Sequence, residues 1–251
     1  MERRIWMMPW TEFAETSLTA EFVILPVGVV EAHGPHLPLG TDFLIPERLA
    51  PLLAERINAL VAPPIPYGVV ESLSGFPGSL SISQGAFESL VYDVISSLAQ
   101  WGFGRVIVLN GHGGSKHLDA LRRALRRLWF EAGVKSILIN WWVYAEPIAS
   151  EVLGPSEGHA STSETAAVVA LLPEAIREVE DLEAWSYSRR EGIEPFPSPG
   201  SIMARGAPPR RPGVEESRRF LESLVDSLVE EISRISSGWD SQEEVYYEEE
   251  H

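Results

Sequence analysis

The sequence predicts a parallel α/β fold, a single domain in which helices cover both faces of one sheet. Three observations predict it. Phe22 to Val27, Arg105 to Leu109 and Ser136 to Asn140 are strand-length runs with near-continuous apolar interiors, as in strands buried on both faces. Segments with apolar residues at helical spacing lie between them. The chemistry-bearing residues cluster directly after such runs, at the strand end where open α/β sheets take ligands.

Residues 1–20 carry Trp6, Trp10 and Phe13 among polar residues and read as an arm or short helix docked on the body. A first strand is expected over 22–28. A helix is expected from Ile45 to Leu60, on the spacing of Leu49, Leu52, Leu53, Ile57 and Leu60. Val61 to Ile65 reads as a short strand interrupted by prolines, hence near an edge or a turn. Residues 67–83 are loop-rich, and Phe87 to Gln100 is an amphipathic helix. The strand Arg105–Leu109 leads to a helix over 116–131. There Arg122, Arg123, Arg126 and Arg127 oppose Leu121, Leu125 and Leu128 as a solvated face.

The strand Ser136–Asn140 is followed by Trp141, Trp142 and Tyr144. Ser161 to Glu164 fits the capping box of a helix reaching Leu172. Residues 181–213, rich in Pro, Gly and Arg, show no clear element; so long a segment is expected to be functional or an oligomer contact. A last helix is expected from Phe220 to Ile235. Residues 1–237 then form the domain, and the acidic stretch 238–251 is expected as a disordered tail.

Composition narrows the function. The formal net charge of -16 over 251 residues argues against a nucleic-acid or anionic-membrane partner. No run of about 18 apolar residues occurs, so no membrane span is expected. The stretch Met1-Glu2-Arg3-Arg4 leads into no signal-like apolar core, and a cytoplasmic location is expected. With no cysteine, thiolate metal sites, disulfides and cysteine nucleophiles are excluded.

The densest chemistry lies in Glu31-Ala32-His33-Gly34-Pro35-His36-Leu37-Pro38-Leu39-Gly40-Thr41-Asp42. In extended backbone Glu31 and His33 share a side. Gly34, Pro35 and Pro38 break regular structure and allow His36 and Asp42 to turn back towards that pair. Oxygen and imidazole donors without thiolate suit a catalytic zinc, manganese or iron site. A second polar loop, Asn110-Gly111-His112-Gly113-Gly114-Ser115, ends another strand; its glycines allow close backbone approach to a metal or substrate. A phosphate-cradling turn is the competing reading, but neither G-x-G-x-x-G nor GK[ST] is present.

These residues also carry a family resemblance. Leu25 to Asp42, Asn110 to Gly114, and His159-Ala160 with Glu164-Thr165 resemble the three signature blocks of the creatininase (creatinine amidohydrolase) family. Phe76-Pro77-Gly78-Ser79 resembles a fourth, weaker block. The resemblance implies a metal-dependent amidohydrolase on a three-layer α/β/α sandwich, with two divalent ions (Zn, Mn or Fe) per chain. It implies that Glu31 and His112 hold one ion, that His33 holds the other, that Asp42 bridges them, and that His159 transfers a proton. It further implies a small-molecule substrate and a homo-oligomer, a hexamer.

The chain departs from creatininase itself at Gly114, where that enzyme has a metal-binding carboxylate, and at Gly158, where it has an acidic residue. Glu164 is the candidate for the missing ligand, beside its reading as a helix cap. Gly114 also keeps open a non-catalytic metal-binding scaffold. Glycine-glycine versions of the second block resemble the wider family, with its formamidopyrimidine deformylases and peptide-trimming enzymes of cofactor maturation. A formamide or cyclic amide on a small heterocycle is the expected substrate class, with peptide trimming as the alternative. Ser79, Gly113 and Trp142 are the candidate substrate contacts. For Trp141 and Trp142, walling a flat substrate and packing in a core are both open.

Overall fold

The computed structural model describes residues 1–155, 158–182 and 209–249, with side chains up to residue 242. Four strands, β1 (Phe22–Val27), β2 (Ala59–Val61), β3 (Arg105–Asn110) and β4 (Lys135–Asn140), form one sheet in the order β2-β1-β3-β4. Every pairing in it is parallel. The helices are α1 (Trp10–Thr16), α2 (Thr41–Arg56), α3 (Gln84–Gln100), α4 (Ser115–Ala132), α5 (Trp141–Leu153), α6 (Thr162–Leu171) and α7 (Val214–Glu249).

Alternation along the strands separates two cores. Phe22, Ile24, Ile107, Leu109 and Ile139 face α2, α5, α6 and α7. Val23, Leu25, Val27, Val106 and Val108 face α3 and α4. The molecule is therefore the expected three-layer α/β/α sandwich. The N-terminal arm extends the sheet region past β2: Arg3 accepts from the Val61 N–H at 2.8 Å. The edge of Phe13 packs on the Trp101 ring, 6.1 Å between centroids.

A proline inside the central strand β1 has a local explanation. Ile24 accepts from Ala62 and Pro26 from Ile65, so the Pro26 nitrogen faces the β2 side. There β2 has already ended at Val61, and no ladder donor is lost.

The helix expected over 45–60 instead spans Thr41–Arg56, and Leu60 belongs to β2. Asn58, at φ 48, makes the turn that separates them and moves the short strand forward from the expected 61–65. The helix α5 was not expected. It starts directly from β4 without a loop, and its aromatic start and internal Pro147 are weak helix signals. The last helix, expected over 220–235, runs from Val214 to Glu249 and includes most of the stretch expected as a disordered tail. Most of segment 181–213 lies outside the described residues.

Candidate metal centre

Five chain segments bring their polar residues together at the C-terminal end of the sheet. The loop after β1 carries Glu31 and His33, the first turn of α2 carries Asp42, and the turn after β3 carries His112. The turn before α6 carries His159, and the first turn of α6 carries Glu164. Glu31, His33, Asp42, His112 and Glu164 are all buried.

Asp42 stands at the centre. Its Oδ1 is 2.9 Å from His33 Nε2, and its Oδ2 is 2.9 Å from His112 Nδ1. Glu31 Oε1 lies 3.1 Å from the same His112 nitrogen, and Glu164 Oε1 lies 3.7 Å from His33 Nε2. Two groups able to hold a cation result, Glu31/Asp42/His112 and His33/Asp42/Glu164, sharing Asp42. A third, Glu31/His33/His159, overlaps both.

Backbone sterics hold Asp42 in place. Pro46 has no N–H for the Asp42 carbonyl four residues earlier, so this helix bond is missing. Gly28 and Gly111 close on that carbonyl; a β-carbon at either position would lie 2.3 Å and 1.9 Å from it.

Each imidazole of the two groups is oriented from behind. His33 Nδ1–H donates to the Glu31 carbonyl at 3.1 Å, and His112 Nε2–H donates to the Val69 carbonyl at 3.1 Å. A carbonyl only accepts, so the opposite nitrogen, the one facing the carboxylates, is the one left to bind a metal once its proton is displaced. This is the arrangement of metal-ligating histidines. The donor set thus fits a pair of divalent ions, with oxygen and nitrogen ligands and no thiolate.

Electrostatics agree. Burial depresses the His33 imidazole, but the carboxylates of Asp42 and Glu164 overcome it and hold it well above its ordinary value. Burial also opposes protonation of His112, yet Glu31 and Asp42 push it up to about 10. Burial would raise Asp42 and Glu164; His33, joined at Asp42 by His112, holds both below the usual carboxylate range. The site is built to concentrate positive charge among fixed negative charges.

Glu164 combines the two roles left open for it. Its Oε2 accepts from the Ser161 N–H at 2.9 Å, closing the capping box, while its Oε1 faces His33. His159 is more exposed than the other members. Its Nε2–H donates to the Ala32 carbonyl at 2.6 Å, and its Nδ1 is 3.9 Å from Glu31 Oε1. Its ring lies 4.1 Å from that of His33. Gly158 at φ 89 and Ala160 at φ 51 turn the chain on either side of it.

His36 does not join the cluster. It bonds Thr165 Oγ1 at 3.0 Å instead, and burial pulls its imidazole down to about 4, with Glu164 opposing. The Ser79 hydroxyl accepts from the Ala32 N–H at 3.2 Å, between Glu31 and His33. Trp142 lies beside Gly113, where a β-carbon would be 3.2 Å from Cζ2. Trp141 is in the core, which removes it as a wall of the site. Sequence reasoning missed His117, a buried histidine bonded to Asn110 Oδ1 at 3.1 Å. The available signal was a histidine on the apolar stripe of α4, with Ala120, Leu121 and Ala124.

Residues 6–232 match the family model Creatininase, creatinine amidohydrolase. The chain is 30% identical to the mycofactocin precursor peptide peptidase of Mycolicibacterium smegmatis, over 84% of each chain. It is 28% identical to the creatinine amidohydrolase of Pseudomonas putida, over 90% of this chain and 95% of that one. A manganese creatininase structure superposes with a TM-score of 0.74 at 25% identity, over 93% of this chain and 98% of that one. In sequence and in fold, this chain belongs to the creatininase family.

Proposed function

We propose that the chain is a two-metal amidohydrolase that cleaves a non-peptide C–N amide bond, in a cyclic amide or a formamide on a small heterocycle. The observation that carries this reading is the orientation of Asp42, whose two oxygens face different imidazoles, each with its own additional carboxylate. Glu31 and His112 would hold one ion and His33 and Glu164 the other, with Asp42 shared. Glu164 thereby takes the place left by Gly114. Two such ions, zinc, manganese or iron, would supply a water acidified towards neutrality and a polarised amide carbonyl.

The chain's own groups supply the rest. The Ala32 carbonyl fixes the Nε2–H tautomer of His159 and leaves the bare Nδ1, turned to the cluster, to take the proton that the attacking water loses and pass it to the leaving nitrogen. Ser79 accepts from Ala32, so its hydroxyl proton is left to donate to a bound substrate. The Trp142 ring beside the side-chain-free Gly113 suits a flat substrate. A homo-oligomer, a hexamer, belongs to the same reading. Peptide trimming is the second reading, favoured by the similarity to a precursor peptide peptidase.

The test begins with metal content per chain, by mass spectrometry of protein purified without chelator. Formamides, cyclic amides and short peptides are then assayed on the metal-loaded protein. About two ions and turnover of a formamide or cyclic amide support the first reading; turnover of peptides alone transfers support to the second. No metal after reconstitution with Zn, Mn and Fe(II) removes both and leaves a scaffold.

A further inference from the structure

We infer that His117 is a positioning residue that aims the His112 imidazole by gripping both of its anchors, the Val69 backbone and the Asn110 amide. The inference rests on the two-metal reading above.

His112 is held at two places. Its ring donates through Nε2–H to the Val69 carbonyl at 3.1 Å. Its backbone is bracketed by Asn110, whose Oδ1 accepts from the His112 N–H at 3.1 Å and whose Nδ2 donates to the His112 carbonyl at 2.8 Å. His117 touches both anchors. The Val69 N–H donates to its Nδ1 at 3.4 Å, and its Nε2–H donates to Asn110 Oδ1 at 3.1 Å. One nitrogen accepts and the other donates, so the neutral Nε2–H tautomer satisfies every bond at once.

The ring has little freedom. It stacks on Phe87 with centroids 4.3 Å apart and planes at 24°, and meets His112 edge-on at 4.9 Å. Gly68 makes its seat, since a β-carbon there would lie 2.3 Å from His117 Nδ1. One side chain on α4 thereby ties the loop after β2 to the end of β3. Apolar packing alone would be served by a phenylalanine, which could make neither polar bond. Groups behind a metal-ligating histidine typically govern affinity by about 10–100-fold.

The test is Zn2+ titration of the full metal-free chain against a chromophoric chelator, for wild type, His112→Ala, His117→Phe and Gly68→Ala. His117→Phe keeps the ring stack and removes both polar bonds; Gly68→Ala displaces the ring and leaves its chemistry intact. We expect each to weaken, by about 10–100-fold, the same binding step that His112→Ala abolishes. The other step should change little, whatever fall in the thermal midpoint the displaced ring or the lost bonds bring. Unchanged affinity in both variants overturns the inference, as does an equal weakening of both steps. Wild type that binds no zinc overturns the two-metal reading itself, and the inference with it.

Discussion

Gly111 and Asp42 are in backbone contact: a β-carbon on Gly111 would stand 1.9 Å from the Asp42 carbonyl oxygen. The end of β3 therefore abuts the first turn of α2, and the shared carboxylate owes its position to a missing side chain 69 residues further along the chain. Gly111→Ala has to push these elements apart. Overpacking of this kind costs about 1–3 kcal/mol, so we expect a lower thermal midpoint together with lost metal. A variant with wild-type midpoint and wild-type metal content would show that the contact can relax freely.

Asp42→Ala removes the group that the sets Glu31/Asp42/His112 and His33/Asp42/Glu164 share. Both ions should be lost, and mass spectrometry of the purified variant reads this directly. Retention of one ion would show that the carboxylate is not shared.

His159→Ala should keep the metal and lose turnover, because its nitrogens contact the Ala32 carbonyl and the rim of the cluster rather than Asp42. A positioned acid–base group contributes about 10²–10⁴-fold, which is the expected fall in kcat on any substrate found for the wild type. Full turnover in the variant would remove the assigned role.

The elevated His112 value sets a pH dependence of the metal-free chain. Its folded value of about 10 lies above the ordinary 6.5, so protonation stabilises the fold. That contribution is complete below about 6.5 and is lost as pH rises through about 10. Chelated protein should melt at a lower temperature at the alkaline end of this window than at the neutral end. Protein loaded with metal, where the proton is displaced, should lack that fall. By the same competition, metal affinity should drop as pH is lowered. A midpoint independent of both pH and metal over this range would contradict the arrangement.

Ala160 sits in the left-handed region at φ 51 and is fully buried, next to His159. Ala160→Gly should leave stability unchanged or slightly raised, since glycine adopts that conformation freely. Ala160→Val should lower the thermal midpoint and activity together, because a β-branched residue adds both strain and bulk. Equal behaviour of the two variants would exclude backbone strain as the constraint.

Much was legible before the fold was known, for local reasons. Strands buried on both faces leave long apolar runs, and β1, β3 and β4 fell where those runs lie. The dense stretch from Glu31 to Asp42 and the glycine-flanked His112 marked the candidate cation site through residue type and spacing, and the fold gathers those residues into groups that could hold an ion. The capping box announced the start of α6. What failed was also local. The helix α5 begins with aromatic residues and contains Pro147, so propensity argued against it, and packing between the sheet and α7 overrides that. The boundary between α2 and β2 was missed because Leu60 continues the apolar spacing of the helix while Asn58 turns the chain.

By itself the sequence determined the layer order, the family resemblance and the donor types, because each is written in periodicity or in short spaced motifs. Only the tertiary structure decided which oxygen of Asp42 faces which imidazole, that Glu164 caps a helix and faces His33 at once, that His36 turns away to Thr165, and that His117 stands behind His112. Those are relations between residues from different strands and helices. No spacing along the chain encodes them, since they arise only when the ends of β1 and β3 and the starts of α2 and α6 pack together.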